Sequence, residues 1–311
     1  MIDNFYYFAI IFISFYLGRY FNVKIKNYDL PGNDKVHEEK VITSGGLLPL
    51  LSISILICYF IFFKNYNSNY YNNIPQLWIA PLAILILTLI SFLDDINYIP
   101  YQFRLISQIV VVFFCISLFP INFTYHFQTP IFNGLLPVKL DVILTIFFWI
   151  FIINSSNFID GYDGMYSFQT VTTFFGLGVI FFLLDETFHL QISILLLLAG
   201  IIFLPFNLNK KQKLFIGDTG SIPTGFILGW LLISLANMGY LLSAILINLF
   251  FILDIAITLI IRILQRKSIF IRHNDFFFKK IIFKKGPKNY FIVSFIIQII
   301  LIAISIFLIT I

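Results

Sequence analysis

Residues 154–165 read NSSNFIDGYDGM and lie between two long apolar runs, 141–153 and 166–184. Amide or carboxylate side chains recur in this stretch at every third position, namely Asn154, Asn157, Asp160 and Asp163. On a helix, residues three apart share a face, so these groups would form one polar wall. Two glycines let the backbone turn sharply or approach a ligand closely. The spacing predicts a ligand-binding wall, and a plain polar turn between membrane helices is the simpler alternative.

The composition is that of a membrane protein. Of the 311 residues, 59% are hydrophobic and only 11% are charged, and the mean hydropathy is +0.94. So few charges cannot cover the surface of a soluble protein of this size. A membrane span needs about 20 apolar residues. We therefore predict an all-α polytopic membrane protein, a single domain over 1–311, with ten transmembrane helices at 5–21, 46–63, 75–93, 101–119, 138–153, 166–184, 188–204, 222–236, 239–261 and 289–311. The first run has no basic leader and no small-residue cleavage site, so we expect a retained helix.

The basic residues predict the orientation. With ten spans the loops alternate between two sides, and 18 of the 20 Lys and Arg residues fall on one of them. Only Lys64 and Lys139 fall on the other. By the positive-inside rule the basic side is cytoplasmic, and both termini lie outside. Cys58 and Cys115 lie within apolar segments, which argues against a disulfide framework or a cysteine zinc site.

Two further acidic motifs lie at predicted helix ends. Asp94 and Asp95 follow directly on the third apolar segment, where partly desolvated carboxylates are costly and suggest a functional site. Arg104 can return towards the same surface. Residues 217–221, GDTGS, precede the predicted eighth helix, where backbone amides suit phosphate and Asp218 suits a divalent cation. A helix-end signal and an ordinary tight turn are the simpler alternatives.

The predicted topology places every acidic motif on the cytoplasmic side. Five carboxylates would then cluster at one membrane face, those of Asp94, Asp95, Asp160, Asp163 and Asp218. Such a cluster needs cations, and a hard divalent ion with oxygen ligands, Mg²⁺ or Mn²⁺, fits best beside a phosphorylated substrate. The dispersed histidines again argue against zinc.

These motifs resemble those of the polyprenyl-phosphate N-acetylhexosamine-1-phosphate transferase family. The most specific match is the stretch 154–165, which is similar to the family's N-x-x-N-x-x-D-G-x-D-G motif. Similar motifs are the first loop from Asp29-Leu30-Pro31 through His37 to Gly45-Gly46, the acid pair Leu93-Asp94-Asp95, the GDTGS turn, and the loop that begins at His273-Asn274-Asp275. The resemblance covers nearly the whole chain.

The resemblance implies a reaction and a set of site residues. The enzyme would transfer a sugar 1-phosphate from a UDP-N-acetylhexosamine to undecaprenyl phosphate and release UMP, with Mg²⁺ as cofactor. It implies Asp218 and Asn157 as metal ligands, Arg104 as a diphosphate contact, and Asp94 or Asp95 as the base. The remaining implied residues are Asp160 and Asp163 in catalysis and Asn154, Lys35, His37 and His273 in substrate binding. Direct attack and a covalent aspartyl-phosphate route both stay open.

The resemblance also implies a cellular location and a set of partners. We expect a multi-pass protein of the bacterial inner membrane, in contact with membrane lipid, with its site facing the cytoplasm and no nucleic-acid partner. Whether it forms a homodimer stays open.

Departures from the family pattern bear on the substrate. Asp34 stands where a basic residue is usual, Lys40 and Ile42 replace prolines, and Phe276 replaces a second histidine. Taken together, the motifs of this sequence resemble those of the O-antigen-initiating branch more than those of the phospho-MurNAc-pentapeptide translocase of peptidoglycan synthesis. The translocase is the alternative within the family. From another class, a secondary transporter is the alternative, although such sites usually lie near the bilayer midplane.

Overall fold

Helices form nearly all of the chain that the structure, a computed structural model, describes. It describes residues 2–25, 27–29, 40–63, 78–97, 99–118, 138–159, 164–208, 214–268, 277 and 287–310. The helices are α1 (Ile2–Lys24), α2 (Leu47–Phe63), α3 (Ile79–Ile96), α4 (Tyr101–Leu118), α5 (Val138–Ile159), α6 (Met165–Leu183), α7 (Thr187–Leu208), α8 (Asp218–Leu235), α9 (Leu241–Leu246), α10 (Leu249–Leu264) and α11 (Pro287–Thr310). A two-residue antiparallel pair joins β1 (Tyr28–Asp29) and β2 (Val41–Ile42).

The predicted all-α membrane class is confirmed. Each of the ten predicted segments overlaps a helix. Among the described residues, seven segments are long and apolar enough to cross a membrane, at Ile79–Ile96, Tyr101–Leu118, Lys139–Ile159, Met165–Leu183, Thr187–Leu208, Asp218–Leu246 and Phe291–Thr310. That ten helices cross the membrane stays a prediction.

Three differences from the predicted helix boundaries matter most, and the other ends differ by up to about four residues. Helix α5 continues to Ile159, so the first half of the polar motif is helical, and α8 begins at Asp218 rather than at residue 222. The ninth predicted segment is interrupted: a π-helical turn at Ala236–Tyr240, with Gly239 at φ +93°, leads into the short α9, and α10 starts only after Asn248. A positive φ is readily adopted only by glycine, so Gly239 allows this break.

Helix α8 lies at the centre of the bundle. All 18 of its residues are buried. It packs mainly against α5 and α3, and also against α2. A membrane helix that is buried on every side has no face for lipid, so its position depends entirely on its protein neighbours.

Small residues on α8 let α5 approach it closely. Three pairs of residues face each other at four-residue intervals, Trp149 with Gly229, Ile153 with Gly225, and Asn157 with Ser221. A Cβ on Gly225 would lie 2.8 Å from the Ile153 Cα, and the Trp149 indole N–H donates to the Phe226 carbonyl at 2.9 Å. Small residues that allow such backbone approach are typical of helix interfaces in membranes. The register places Asn157 beside the first turn of α8.

The start of α2 is joined to the start of α8 through backbone hydrogen bonds. Phe215 N donates to Ile42 O at 2.9 Å, and Gly45 N donates back to Phe215 O at 2.9 Å. Gly46 N donates to Ile216 O at 3.0 Å. A Cβ on Gly46 would collide with the backbone of Gly220. The segment at 42–46 and the GDTGS turn therefore form one tightly packed unit beneath the acid pair.

Candidate active site

The carboxylate of Asp95 caps α8 from another helix. Its two oxygens accept the backbone N–H groups of Asp218 and Thr219, each at 3.2 Å. The same carboxylate accepts the hydroxyl of Thr219 at 2.5 Å and that of Ser44 at 2.8 Å. The N-cap residue, Gly217, supplies no side-chain hydrogen bond. A helix start needs acceptors for its first amides, and a negative charge there is stabilised by the helix dipole. Asp95, at the end of α3, provides both.

Gly217 has to be a glycine at this cap. Its φ is +72°, and a Cβ there would collide with the Asp95 carboxylate and lie 2.9 Å from Ser44 N. Both the conformation and the space favour glycine. The first glycine of GDTGS therefore lets Asp95 approach the α8 backbone.

The amides of this turn are already bonded within the protein. Besides the two that bind Asp95, the amides of Gly220 and Ser221 both donate to Gly217 O at 3.0 Å. The prediction that the GDTGS amides bind phosphate is therefore wrong for residues 218–221. Only side chains are left to contact an anion at this turn.

Arg104 links two carboxylates. Its Nη1 donates to Asp94 Oδ2 at 2.7 Å and also makes a close ion pair with Asp218 Oδ2. Asp94 Oδ1 accepts the backbone N–H of Ile99 at 2.7 Å. The Asp218 side chain is 4% exposed and that of Asp94 9%, against 25% for Arg104. Removing one partner of such a buried pair leaves an uncompensated charge, so the three groups depend on one another.

Arg104 has unused hydrogen-bonding capacity. Its buried Nε has no hydrogen-bond partner among the residues that the structure describes. A guanidinium has five N–H donors in a planar fork that suits phosphate oxygens. The partly exposed Arg104 is thus suited to bind an anion while its Nη1 stays on the carboxylates.

Asn154 and Asn157 lie on α5 towards the same site, as their spacing predicts. The Asn154 amide donates to Gln108 Oε1 at 2.7 Å, and Gln108 is one helical turn beyond Arg104 on α4. Asn157 Oδ1 accepts the hydroxyl of Ser221, one turn into α8, at 3.3 Å. Asn154 thus ties α5 to the helix that carries Arg104, and Asn157 ties it to the helix that carries Asp218.

The structure brings six predicted site residues together and does not describe five others. Asp94, Asp95, Arg104, Asp218, Asn154 and Asn157 lie on four helices whose ends meet here. Asp160, Asp163, Lys35, His37 and His273 lie outside the described residues. Gly164, near the end of the polar motif, has a φ of +81°. Its backbone N–H donates a hydrogen bond to the side chain of the buried Asn207.

Sequence reasoning missed Ser44, Thr219, Ser221 and Gln108. Thr219 and Ser221 belong to the GDTGS turn, and the turn pattern alone assigns no partner to their hydroxyls. Ser44 precedes the glycine pair 45–46, which signals tight packing but not a hydrogen bond to Asp95. Gln108 had a usable signal, because it is a polar residue four positions after Arg104 inside an apolar segment.

The charges that the described residues bring to the site are unbalanced. Asp94, Asp95 and Asp218 face one guanidinium, that of Arg104. Among the described residues no group of three His, Cys, Asp or Glu side chains forms a metal site. The oxygen donors of Asp94, Asp218 and Asn157 nevertheless suit a hard cation that completes its shell with water or phosphate oxygens. The residues fit Mg²⁺ better than zinc.

Comparison with known proteins gives the family. Residues 77–236 match the profile of Glycosyl transferase family 4, a range that includes α3 to α8 and every described site residue except Ser44. The phospho-N-acetylmuramoyl-pentapeptide-transferase of Staphylococcus haemolyticus (strain JCSC1435) is 31% identical over 232 residues, 69% of this chain and 67% of the relative. The phospho-N-acetylmuramoyl-pentapeptide-transferase of Staphylococcus aureus (strain MSSA476) is 29% identical over 230 residues, which cover 68% of this chain and 67% of the relative. The chain therefore belongs to glycosyl transferase family 4, and it is a multi-pass membrane transferase of the polyprenyl-phosphate sugar-phosphate transferase kind.

Proposed function

We propose that the protein transfers a sugar 1-phosphate from a UDP-activated N-acetylated amino sugar to undecaprenyl phosphate. An oxygen of the lipid phosphate attacks the sugar-bearing phosphorus of the donor, and the bond between the two donor phosphates breaks. UMP leaves with the electron pair, and the product is an undecaprenyl-diphospho-sugar. The family assignment supports this transfer over the transporter alternative.

One observation supports the proposal most, the contact of Arg104 with both Asp94 and Asp218 at the ends of three helices. Phosphoryl transfer requires two anions to approach, and positively charged groups and metal ions have to offset their repulsion. Arg104 supplies a fixed positive charge with spare donors, and the carboxylates supply ligands for a cation. The carboxylates of Asp94 and Asp218 are largely buried, and in such surroundings each charge has a larger effect than in water.

Asp218 and Asn157 would hold Mg²⁺ in this proposal. When bound, the ion neutralises the donor diphosphate and stabilises charge on the departing UMP. This role is supported by the hydrogen bonds of Asp95 and Asn157 to the first turn of α8, which bears Asp218. Asn157 is held at the same turn by Ser221.

The two members of the acid pair have different roles in this proposal. Asp95 accepts four hydrogen bonds, which uses about all the lone-pair sites of a carboxylate. It therefore holds α8 in position. Asp94 accepts one backbone N–H and the Arg104 guanidinium. Asp94 is the better candidate to face the phosphates and orient the lipid nucleophile, as general base or through Arg104.

Two donors are candidates. Both relatives described above are phospho-N-acetylmuramoyl-pentapeptide-transferases, which favours UDP-MurNAc-pentapeptide over the O-antigen interpretation. The replacement of a family histidine by Phe276 favours a simpler UDP-N-acetylhexosamine.

One assay separates the donors and tests the function. Membranes that contain the chain are incubated with undecaprenyl phosphate, Mg²⁺ and either UDP-MurNAc-pentapeptide, UDP-GlcNAc or UDP-GalNAc. We expect labelled lipid and UMP in equal amounts with one donor class, and no product after chelation of the metal. Failure of every donor in membranes that contain folded protein would contradict the proposed transfer.

Arg104→Lys tests the anion-binding role. A lysine keeps the charge but cannot contact both carboxylates and a diphosphate in a planar fork. Because a hydrogen bond to a charged group contributes about 1.5–3 kcal/mol, we expect the donor KM to rise about 10- to 100-fold. Steady-state kinetics measures this. A change confined to the KM for the lipid would place Arg104 on the acceptor instead, and Ser107→Ala, on the same turn of α4, is the control.

The cytoplasmic orientation of the site is a further part of the proposal, supported by the distribution of basic residues. In a chain without Cys58 and Cys115, we introduce a cysteine at exposed Lys267, beyond α10, or at exposed Thr187, where α7 begins. An impermeant thiol reagent applied to intact cells should label Thr187→Cys and spare Lys267→Cys. The reverse pattern would place the site on the outer face.

A further inference from the structure

A buried chain of side chains connects α1 to Asp95. Asn22 Nδ2, near the end of α1, donates to Ser44 O at 3.0 Å. Asn27 Nδ2 donates to Ser44 Oγ at 2.7 Å, and Ser44 Oγ donates to Asp95 Oδ2 at 2.8 Å. Thr219 then donates to the same Asp95 oxygen through both its amide and its hydroxyl. We name Asn22, Asn27, Ser44, Asp95 and Thr219 the α1–α8 network.

Four of the five residues of the network are buried, and Asp95 is partly exposed. Asn22, Ser44 and Thr219 have no exposed surface and Asn27 is 7% exposed. Hydrogen bonds in such surroundings are stronger than in water, and a polar group left without a partner is costly. Ser44 also has φ +58°, a conformation that non-glycine residues rarely adopt. Its position is therefore fixed by its surroundings, with its hydroxyl directed at Asp95.

Ser44 also lies where the first loop leads into α2. The backbone of Thr43 donates to Asn27 O at 3.3 Å, so residues 27 and 43 close the two ends of the loop next to the β1–β2 pair. The predicted substrate-binding residues Lys35 and His37 belong to the stretch that this closure bounds. The same serine thus contacts both the base of the loop and the carboxylate that caps α8.

We propose that Ser44 and Asn27 are positioning residues for the transfer reaction. They hold the Asp95 carboxylate in place, and Asp95 in turn holds the first turn of α8, which bears Asp218. The catalytic part of this inference rests on the proposed function. The structural part does not, because it concerns only the amides of Asp218 and Thr219.

The experiment compares Ser44→Ala, Ser44→Gly and Ser54→Ala in the full-length protein. Both changes at Ser44 remove the hydroxyl, but glycine also relieves the positive φ. Ser54→Ala is the matched control, because its buried hydroxyl makes an interhelical hydrogen bond to Pro81 O at 2.9 Å, away from the carboxylates. Hydrogen–deuterium exchange follows the peptide with residues 217–221, and kinetics gives kcat and KM.

We expect both Ser44 variants to speed exchange at the start of α8 and to lower kcat about 10- to 100-fold, since small misplacements of reacting groups have effects of this size. The donor KM should change much less, because Arg104 keeps its contact with Asp94 on α3. Ser54→Ala should leave exchange at 217–221 and kcat close to wild type.

Several results would overturn the inference. They are wild-type kcat in Ser44→Gly, unchanged exchange at 217–221 in both Ser44 variants, or an equal loss of kcat in Ser54→Ala. If the Ser44 variants do not fold, Asn27→Asp, which replaces the Nδ2 donor to Ser44 by an oxygen, gives the same two readouts. Should the wild-type chain transfer no sugar phosphate from any donor, the exchange result alone decides on the network, and the proposed function fails separately.

Discussion

Asp218→Asn should lower turnover by about 10²- to 10³-fold, the scale on which loss of one electrostatic contact to the transition state acts. The substitution keeps the size of the side chain and the first turn of α8 but removes its negative charge. It thereby breaks the ion pair with Arg104 and removes the charged ligand proposed for Mg²⁺. Turnover of membranes with undecaprenyl phosphate and the active donor measures the effect. Titration of the purified protein with Mn²⁺ should show weaker binding as well.

Asp141→Asn is the matched control for that change. Asp141 is also a buried carboxylate, 2% exposed, in the first turn of α5, and so at the opposite end of that helix from Asn154 and Asn157. Its replacement should leave turnover per folded molecule close to wild type. If Asp218→Asn retains near-normal turnover at low Mg²⁺, the assignment of Asp218 as a metal ligand is wrong.

Gly46→Ala should disrupt the site through the backbone. The added methyl group would collide with Gly220, which is backbone and cannot rotate away. Overpacking of this kind costs about 1–3 kcal/mol, and more where backbones meet. We expect a lower thermal unfolding temperature in detergent. Turnover per folded molecule should fall by about 10²-fold, because α2 and α8 must separate at the unit that holds Asp218.

Gly178→Ala, within α6, controls for the gain of a methyl group. Its Cβ would meet neighbours only at 3.8 and 3.9 Å, which is ordinary contact. Alanine is also the better helix former, so stability should be equal or slightly higher. Equal behaviour of the Gly46 and Gly178 variants would show that α2 and α8 do not need their close approach.

The helices could be predicted from the sequence because their signals are local. Length and hydropathy placed all ten apolar segments on helices, and the three-residue spacing placed Asn154 and Asn157 on one side of α5. The start of α8 was predicted four residues late for a physical reason. Its first amide is capped by Asp95, which lies 123 positions earlier in the chain. A local pattern of residues cannot reveal a cap from another helix.

The residues of the site could be predicted from the sequence, but the role of each residue could not. Asp94, Asp95, Arg104 and Asp218 were all expected near one another, and they are in contact. Adjacent side chains on a helix project about 100° apart, so the sequence already required Asp94 and Asp95 to differ. Which one faces Arg104 depends on how α3 is rotated within the bundle. That rotation comes from packing against α8, which no single segment determines.

Because α8 is buried on every side, it cannot rotate to compensate for an inserted or deleted residue. Asp218 and Gly229 are eleven positions apart, which is about three full turns of helix. Deleting one residue between them would rotate Asp218 by about 100° relative to Trp149 and shift it by about 1.5 Å. A helix with a lipid face could turn to absorb such a change, but α8 has none. The number of residues from Asp218 to Gly229 is thus fixed, because any insertion or deletion between them would rotate or shift Asp218 relative to its contacts with Asp95 and Arg104.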